Sequence, residues 1–202
     1  MTRLPFEQVT NLVQMLTLLF LSNWVWLQAR RTDKETAVHI FAAGLFCFYL
    51  GDLFWTAHLL VKGYAPAVFS PADVAWIGQF LWLFAATRLL CPGNTPRPWW
   101  VWVLPTLVVG NYIVWITALE CEPFSNALWC LAMALLAWQA GCGLAAGGGR
   151  LCPFFLCTLA YLILELTLFL SGGVLYAALD LLVTVCAAAM SVTLVRGARY
   201  AG

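Results

Sequence analysis

The chain has 202 residues and a formal net charge of +1, and 63% of its residues are hydrophobic whereas only 9% are charged. Soluble domains carry about one quarter charged residues, so this composition, with a mean hydropathy of +0.88, indicates a protein whose solvent is lipid. The small net charge provides no basic surface, and no phosphate-binding glycine loop or zinc-finger spacing occurs, which argues against nucleic-acid and nucleotide partners.

Apolar runs follow one another along the whole chain, each near the roughly 20 residues that a helix needs to cross the hydrocarbon core. Because lipid offers no partner to an unpaired backbone group, each run is predicted to be a helix. The first run lacks the features of a cleaved secretory signal, so we expect it to remain as the first helix. The predicted spans are residues 8–29, 38–61, 72–91, 98–118, 125–146, 152–171 and 174–196. Short connections leave a single all-α, seven-helix transmembrane domain over residues 1–202.

The basic residues give the predicted orientation, since lysine and arginine are retained in cytoplasmic loops. One side of the predicted topology holds Arg30, Arg31, Lys34, Arg88, Arg97, Arg150, Arg196 and Arg199. The other side holds Arg3 and Lys62, together with the acidic loop at Glu120 and Glu122. The pattern predicts an outside N-terminus and a cytoplasmic C-terminus.

Four carboxylates are predicted to lie in the outer halves of the helices: Asp52, Asp73, Glu165 and Asp180. An ionised carboxylate in hydrocarbon costs at least about 2.5–3.5 kcal/mol, so such residues normally face partners, water or a site. The amides Gln14, Gln79 and Asn111 have similar predicted depths, and His58 lies at the outer end of the second helix. We expect an outward-opening polar pocket with these candidate ligand-binding residues: Asp52, Asp73, Gln79, Asn111, Glu165 and Asp180. The alternative is that each acid bonds a neighbouring helix separately.

The residue patterns that retinal proteins, zinc hydrolases and serine hydrolases need are absent from the sequence. The seventh helix has no lysine for a retinal Schiff base, and neither an HExxH zinc motif nor a Gly-x-Ser-x-Gly elbow is present. Cys121 lies in a loop predicted to face outward, whereas the other seven cysteines lie in or beside apolar runs, where thiols act as small hydrophobes. We therefore predict no metal and no cofactor.

Glycine and proline indicate where helices deviate or approach closely. Pro105 predicts a kink in the fourth helix, and Gly141 and Gly143 suggest close helix contact or a loosened end of the fifth. The second and third helices also resemble the sixth and seventh, because each pair has an acid late in one helix and another early in the next. This weak internal repeat would fit two three-helix units arranged about the fourth helix, as in parallel-repeat transporters.

The segment Gly51-Asp52-Leu53-Phe54-Trp55, followed by the run from Phe69 to Trp76, resembles the N-terminal membrane module of many bacterial diguanylate cyclase and phosphodiesterase sensors. That module has a GD-x-x-W element before a P-S-x-A-D-x-x-Y element. The resemblance covers about residues 30–90, with Ser70-Pro71 in inverted order and Trp76 in place of the usual aromatic. It implies a sensor-like module in the cytoplasmic membrane of a bacterium, without a catalytic output domain and thus with need of a separate signalling partner.

A second resemblance is to lysoplasmalogenase-type membrane hydrolases, whose GD element and later acid are matched by Gly51-Asp52 and Glu165. Glutamate stands where that family has aspartate. The resemblance implies that Asp52 and Glu165 are a catalytic pair, one protonating a vinyl ether and the other orienting water. Three functions are thus carried forward: a sensor-like binder of a small molecule, a lipid hydrolase, and a solute or proton-coupled transporter. Membrane lipids are expected partners of all three.

Overall fold

The computed structural model describes residues 5–91, 98–118, 122–147, 149–171 and 173–199, and these residues form helices and turns with no strand among them. The seven α-helices are α1 (Pro5–Ala29), α2 (Glu35–Lys62), α3 (Pro71–Leu90), α4 (Val103–Ala118), α5 (Pro123–Ala145), α6 (Cys152–Phe169) and α7 (Gly173–Arg199). Arg3, Arg97, Glu120 and Cys121 lie outside the described residues. The prediction of an all-α membrane protein with about seven helices is confirmed, and helix ends differ from the predicted ones by a few residues.

Six of the helices form a closed ring. Going round it, α1 packs on α2, α2 on α3, α3 on α5, α5 on α6, α6 on α7, and α7 again on α1. At the closing contact the guanidinium of Arg199 on α7 donates a hydrogen bond to the side-chain oxygen of Gln28 on α1. Across the ring, α2 also contacts α7. Two three-helix arcs, α1 to α3 and α5 to α7, therefore enclose one interior.

The fourth helix lies outside this ring, where its main helix contact is with α5. Only 17% of its span residues are buried, against 39–50% in the other five spans that meet the same criteria of length and apolarity. The predicted arrangement of two units about a central fourth helix is therefore wrong: the two arcs meet each other directly, and α4 connects them from the lipid side.

Pro105 marks an irregular start to the fourth helix rather than a kink in its middle. A 3₁₀ turn at Trp99–Trp102 precedes α4, and Pro105 lies in the first turn of the α-helix proper. A proline is tolerated there because the first turn of a helix needs no backbone N–H donor.

Length and composition make six of the helices able to cross a membrane, namely all except α3. α3 falls short of this apolarity because Asp73, Gln79 and Arg88 lie within its 20 residues. At 1.5 Å per residue those 20 residues still reach about 30 Å, the thickness of the hydrocarbon core. α3 packs between α2 and α5 in the ring, so its length and position are those of a seventh span.

The outer surface of the bundle carries many large apolar side chains. Large side chains such as Phe20, Leu27 and Val185 are more than three-fifths exposed, which a soluble protein avoids when such residues form continuous patches. The interior is filled by aromatic and branched side chains, including the fully buried Phe41 and Phe154. In lipid, close packing of this kind is a main force that holds helices together.

Close approach between helices is clearest at Gly143 on α5. A Cβ atom placed there would lie 2.4 Å from Cε1 of Phe155 on α6, so only glycine permits this contact. Gly141 has a similar role, because its Cβ position is 3.2 Å from a methyl group of Val101. Of the two interpretations of these glycines, the structure supports close helix contact.

The described lysines and arginines lie at the two ends of the bundle. One end, here called the basic end, carries exposed Arg30, Arg31, Lys34, Arg88, Arg150, Arg196 and Arg199. The opposite end carries exposed Lys62 and Glu122. This distribution places the basic end in the cytoplasm if the positive-inside rule holds for this chain.

Candidate functional site

Polar side chains from five helices meet in one layer of the ring interior. The layer lies roughly 6–15 Å from the helix ends opposite the basic end, at 1.5 Å per residue. It consists of three carboxylates and four neutral partners: Asp52, Glu165 and Asp180, with Gln14, Trp76, Gln79 and Tyr161. We call the three carboxylates the acidic centre.

The acidic centre is closed in this structure. Asp52 is 7% exposed, and Glu165 and Asp180 are each 6% exposed. The carboxyl group of Asp52 interacts electrostatically with those of Asp180 and Glu165, and Glu165 also interacts with Asp180. The three acids predicted from separate helices therefore form one group.

Asp52 is held by the indole of Trp76. The Nε1–H of Trp76 on α3 donates to Oδ1 of Asp52 on α2, with the two atoms 2.9 Å apart. Gly51 makes this contact possible, because a Cβ at that position would lie 2.5 Å from both Cδ1 and Nε1 of Trp76. The Gly-Asp pair thus has a structural reason: glycine leaves space for the indole, and aspartate accepts the hydrogen bond from its N–H.

Asp180 is held by Gln14 from the first helix. The side-chain Nε2 of Gln14 donates to Oδ1 of Asp180, with the two atoms 2.9 Å apart. Both residues are buried. This bond joins α1 to α7 and so ties the two ends of the chain together at the depth of the acidic centre.

Glu165 belongs to a third set of contacts, which runs through Tyr161. Gln79 on α3 donates a side-chain hydrogen bond to the hydroxyl oxygen of Tyr161 on α6. The same hydroxyl interacts with Glu165, one helical turn further along α6. Because the hydroxyl oxygen accepts from Gln79, its O–H remains able to donate to the Glu165 carboxylate.

Two carboxylate oxygens of the centre have no hydrogen-bond partner among the described residues, Oδ2 of Asp52 and Oδ2 of Asp180. The hydroxyl of Thr56, one turn after Asp52 on the same side of α2, is also buried without a partner there. α2 and α7 contact each other across the ring. Buried polar atoms are normally hydrogen-bonded. The interior faces of α2 and α7 therefore carry oxygen atoms whose hydrogen bonds are not satisfied by the described residues.

No described basic side chain reaches the acidic centre. Lys62 is exposed at the end of α2, ten residues beyond Asp52, and the described arginines and Lys34 are exposed at the basic end. Neutral donors therefore supply the contacts of the three carboxylates within the part of the chain that the structure describes.

The remaining predicted site residues lie elsewhere. Asp73 forms the capping box of α3, where its Oδ2 accepts hydrogen bonds from the backbone N and the hydroxyl of Ser70 at 2.7 and 2.8 Å. Asn111 is half-buried on α4, the helix outside the ring. The His58 ring packs against Phe54 and Tyr64, near the end of α2.

Metal ligation finds no support in the described residues, since no group of three His, Cys, Asp or Glu side chains has a metal-binding arrangement. The described cysteines lie in helices or at helix ends. Cys186, for example, donates from Sγ to the backbone oxygen of Cys157, 3.2 Å away, between α7 and α6.

A groove of about 470 Å³ lies away from the acidic centre, between α4 and α5. Apolar side chains line most of it, including Trp102, Pro105 and Trp138. It has no carboxylate in its lining.

The sequence alone did not identify Trp76 and Tyr161 as parts of the site. Both are aromatic residues in apolar runs, which usually indicates packing. A signal was present in their spacing, since Trp76 lies one turn before Gln79 and Tyr161 one turn before Glu165. No protein-family model and no curated protein matches this chain.

Proposed function

We propose that the chain is a sensor-like, ligand-binding protein of the membrane, and that the acidic centre is its binding site. The observation that carries the proposal is the pair of buried carboxylate oxygens, on Asp52 and Asp180, that have no partner among the described residues. A buried acceptor without a donor costs about 1–3 kcal/mol. A bound molecule with hydrogen-bond donors removes that cost.

Convergence supports a site over separate structural contacts. If the acids served only to join neighbouring helices, each would need one partner and no proximity to the others. Instead Asp52, Glu165 and Asp180 come from three helices to within electrostatic range. Carboxylates that lie close together repel one another and so destabilise the fold. Buried acids that are kept in spite of this repulsion often have a function.

Access requires movement, because the centre is closed. It lies within a few turns of the helix ends opposite the basic end, and that end is the outer one under the positive-inside rule. Separation of these ends admits a ligand from outside, while the basic end stays packed. Such a movement is also a means of signalling to a partner protein.

Thermal unfolding in lipid nanodiscs tests this proposal, with the intrinsic fluorescence of tryptophan as the signal. Ethylammonium, propanoate, 1-propanol, glycine and glucose serve as a panel of small charged and neutral solutes. A ligand that binds only the folded state raises the unfolding midpoint saturably. We expect this for at least one solute with the wild type and the exposed control Asp33→Asn, but not with Asp52→Asn or Asp180→Asn.

The opposite pattern overturns the proposal. It consists of no saturable shift with any solute, together with Asp52→Asn and Asp180→Asn proteins that unfold at or above the wild-type temperature. The acids would then be dispensable for both binding and stability.

A second candidate function is hydrolysis of an ether lipid, favoured by one observation: Asp52 and Glu165 interact within the same buried centre. One carboxyl group can protonate the β-carbon of the vinyl ether, while the other orients water that adds to the resulting oxocarbenium carbon; the hemiacetal so formed breaks down to an aldehyde and an alcohol. An assay with a vinyl-ether lysophospholipid separates the candidates, because the enzyme releases aldehyde and loses this activity in Asp52→Asn and Glu165→Gln, whereas a binding protein shows no turnover. Transport, the third candidate, requires flux of the bound solute into sealed vesicles.

A further inference from the structure

The acidic centre has a composition that selects among ligands. We propose that it binds a small primary ammonium ion, R–NH₃⁺, whose N–H groups donate to the free oxygens of Asp52 and Asp180. This inference rests on the proposed function and names the ligand class of the same site. Four independent features of the described residues support it.

Charge is the first feature. Three carboxyl groups interact with one another inside the ring, whereas the described lysines and arginines are exposed at the bundle ends. A cation bound between the acids offsets their mutual repulsion, and an anion increases it. An anionic ligand is therefore the class that the centre disfavours most.

Hydrogen-bond demand is the second feature. Within the acidic centre the unpartnered atoms are two carboxylate oxygens, Oδ2 of Asp52 and Oδ2 of Asp180. An ionised carboxylate oxygen accepts hydrogen bonds and cannot donate them. The nearby Oγ1 of Thr56 also lacks a partner within the described residues. A primary ammonium group has three donors and no acceptor, which matches three unfilled acceptors.

Coordination geometry is the third feature. The described His, Cys, Asp and Glu side chains form no arrangement that could hold a metal ion, although calcium and magnesium prefer several oxygen ligands at 2.0–2.6 Å. A cation bound at Asp52 and Asp180 is therefore better held by hydrogen bonds than by metal coordination. A primary ammonium group binds carboxylates in this way, with nitrogen-to-oxygen distances of about 2.8 Å.

Aromatic surroundings are the fourth feature. The ring centroid of Trp76 lies 5.6 Å from that of Trp55 and 6.3 Å from that of Trp129. On the other side, Tyr161 packs against Phe48 and Phe80 with centroid distances of 6.5 and 6.1 Å. Faces of aromatic rings attract organic cations, and they also accommodate an alkyl group that an inorganic ion lacks.

Calorimetric titration of the full chain in nanodiscs, at constant ionic strength, tests the proposal with ethylammonium as the probe. Sodium controls for charge, tetramethylammonium for a cation without N–H donors, and 1-propanol for a neutral molecule that is one carbon larger. We expect saturable binding of ethylammonium alone. Asp52→Asn and Asp180→Asn should each weaken it at least about tenfold, and the exposed variant Asp33→Asn should leave it unchanged.

Thr56→Val covers the case in which an aspartate variant fails to fold, because it keeps the side-chain volume and removes only the hydroxyl. We expect ethylammonium binding to weaken about threefold or more in this variant. Equal binding of sodium, tetramethylammonium or 1-propanol, or ethylammonium binding that survives all three substitutions, overturns the inference. Saturable binding of propanoate or glucose that depends on Asp52 would overturn it as well, while leaving the proposed function standing.

Discussion

The indole Nε1 of Trp76 lies 2.9 Å from Oδ1 of Asp52 and donates a hydrogen bond to it across the interface of α2 and α3. The contact depends on the absence of a side chain at Gly51, next to the aspartate. One short element of sequence therefore sets both the packing of two helices and the orientation of a buried carboxylate.

Gly51→Ala should destabilise the protein by about 1–3 kcal/mol, because the new methyl group displaces the Trp76 ring. The matched control is Gly78→Ala on α3, where a Cβ atom meets nothing within 4 Å. Both changes gain the higher helix propensity of alanine, about 0.5–1 kcal/mol. The difference between their free energies of unfolding in mixed detergent micelles therefore reports the clash, and equal stabilities would contradict it.

The bond between Gln14 and Asp180 should appear as a coupling energy in a double-mutant cycle. Alanine at either position breaks the side-chain hydrogen bond that joins α1 to α7 at this depth, so the second substitution should cost less than the first. Interactions of this kind in membranes average about 0.6 kcal/mol and reach about 1.7 kcal/mol. Additive effects of Gln14→Ala and Asp180→Ala would show that the bond does not contribute.

Gly143→Ala should separate α5 from α6, since its methyl group would overlap the ring of Phe155. We expect a loss of about 1–3 kcal/mol in unfolding free energy. Gly110→Ala on α4, where the Cβ position is open, should be neutral or stabilising. Adding Phe155→Leu to Gly143→Ala should recover part of the lost unfolding free energy. If the double variant is no more stable than Gly143→Ala alone, the two residues do not contact each other.

The orientation of the bundle can be tested with single cysteines in a cysteine-free background. A membrane-impermeant maleimide applied to intact cells should label Ala65→Cys, in the exposed segment after α2. Asp33→Cys, exposed between α1 and α2, should react only after the cells are opened. The reverse pattern would place the basic end outside.

Helix number and bounds could be predicted from the sequence because lipid imposes a length and a composition on each span. The depth of Asp52, Glu165 and Asp180 followed from the same rule. Their facing directions did not, since helix rotation is set by packing against neighbours. Asp73 shows the consequence: it has a similar predicted depth, but it caps its own helix at Ser70.

The arrangement of the helices was harder to predict than their number. Chain order suggested a central fourth helix, whereas the ring closes without it and leaves α4 against α5. The contacts that decide this are between side chains distant in sequence, such as Gln14 with Asp180. Periodicity within one apolar run carries little information about such pairs, because nearly every face of these helices is apolar.

The central claim is that Asp52 and Asp180 form a site that a small molecule can reach. Its most direct test is carboxyl modification of the protein in nanodiscs, with a water-soluble carbodiimide and a small amine, mapped by peptide mass spectrometry. Exposed Asp33, Glu35 and Glu122 should react rapidly as internal controls. The account predicts slower but complete labelling of Asp52 and Asp180 through opening of the outer helix ends, and labelling confined to the three exposed acids would contradict it.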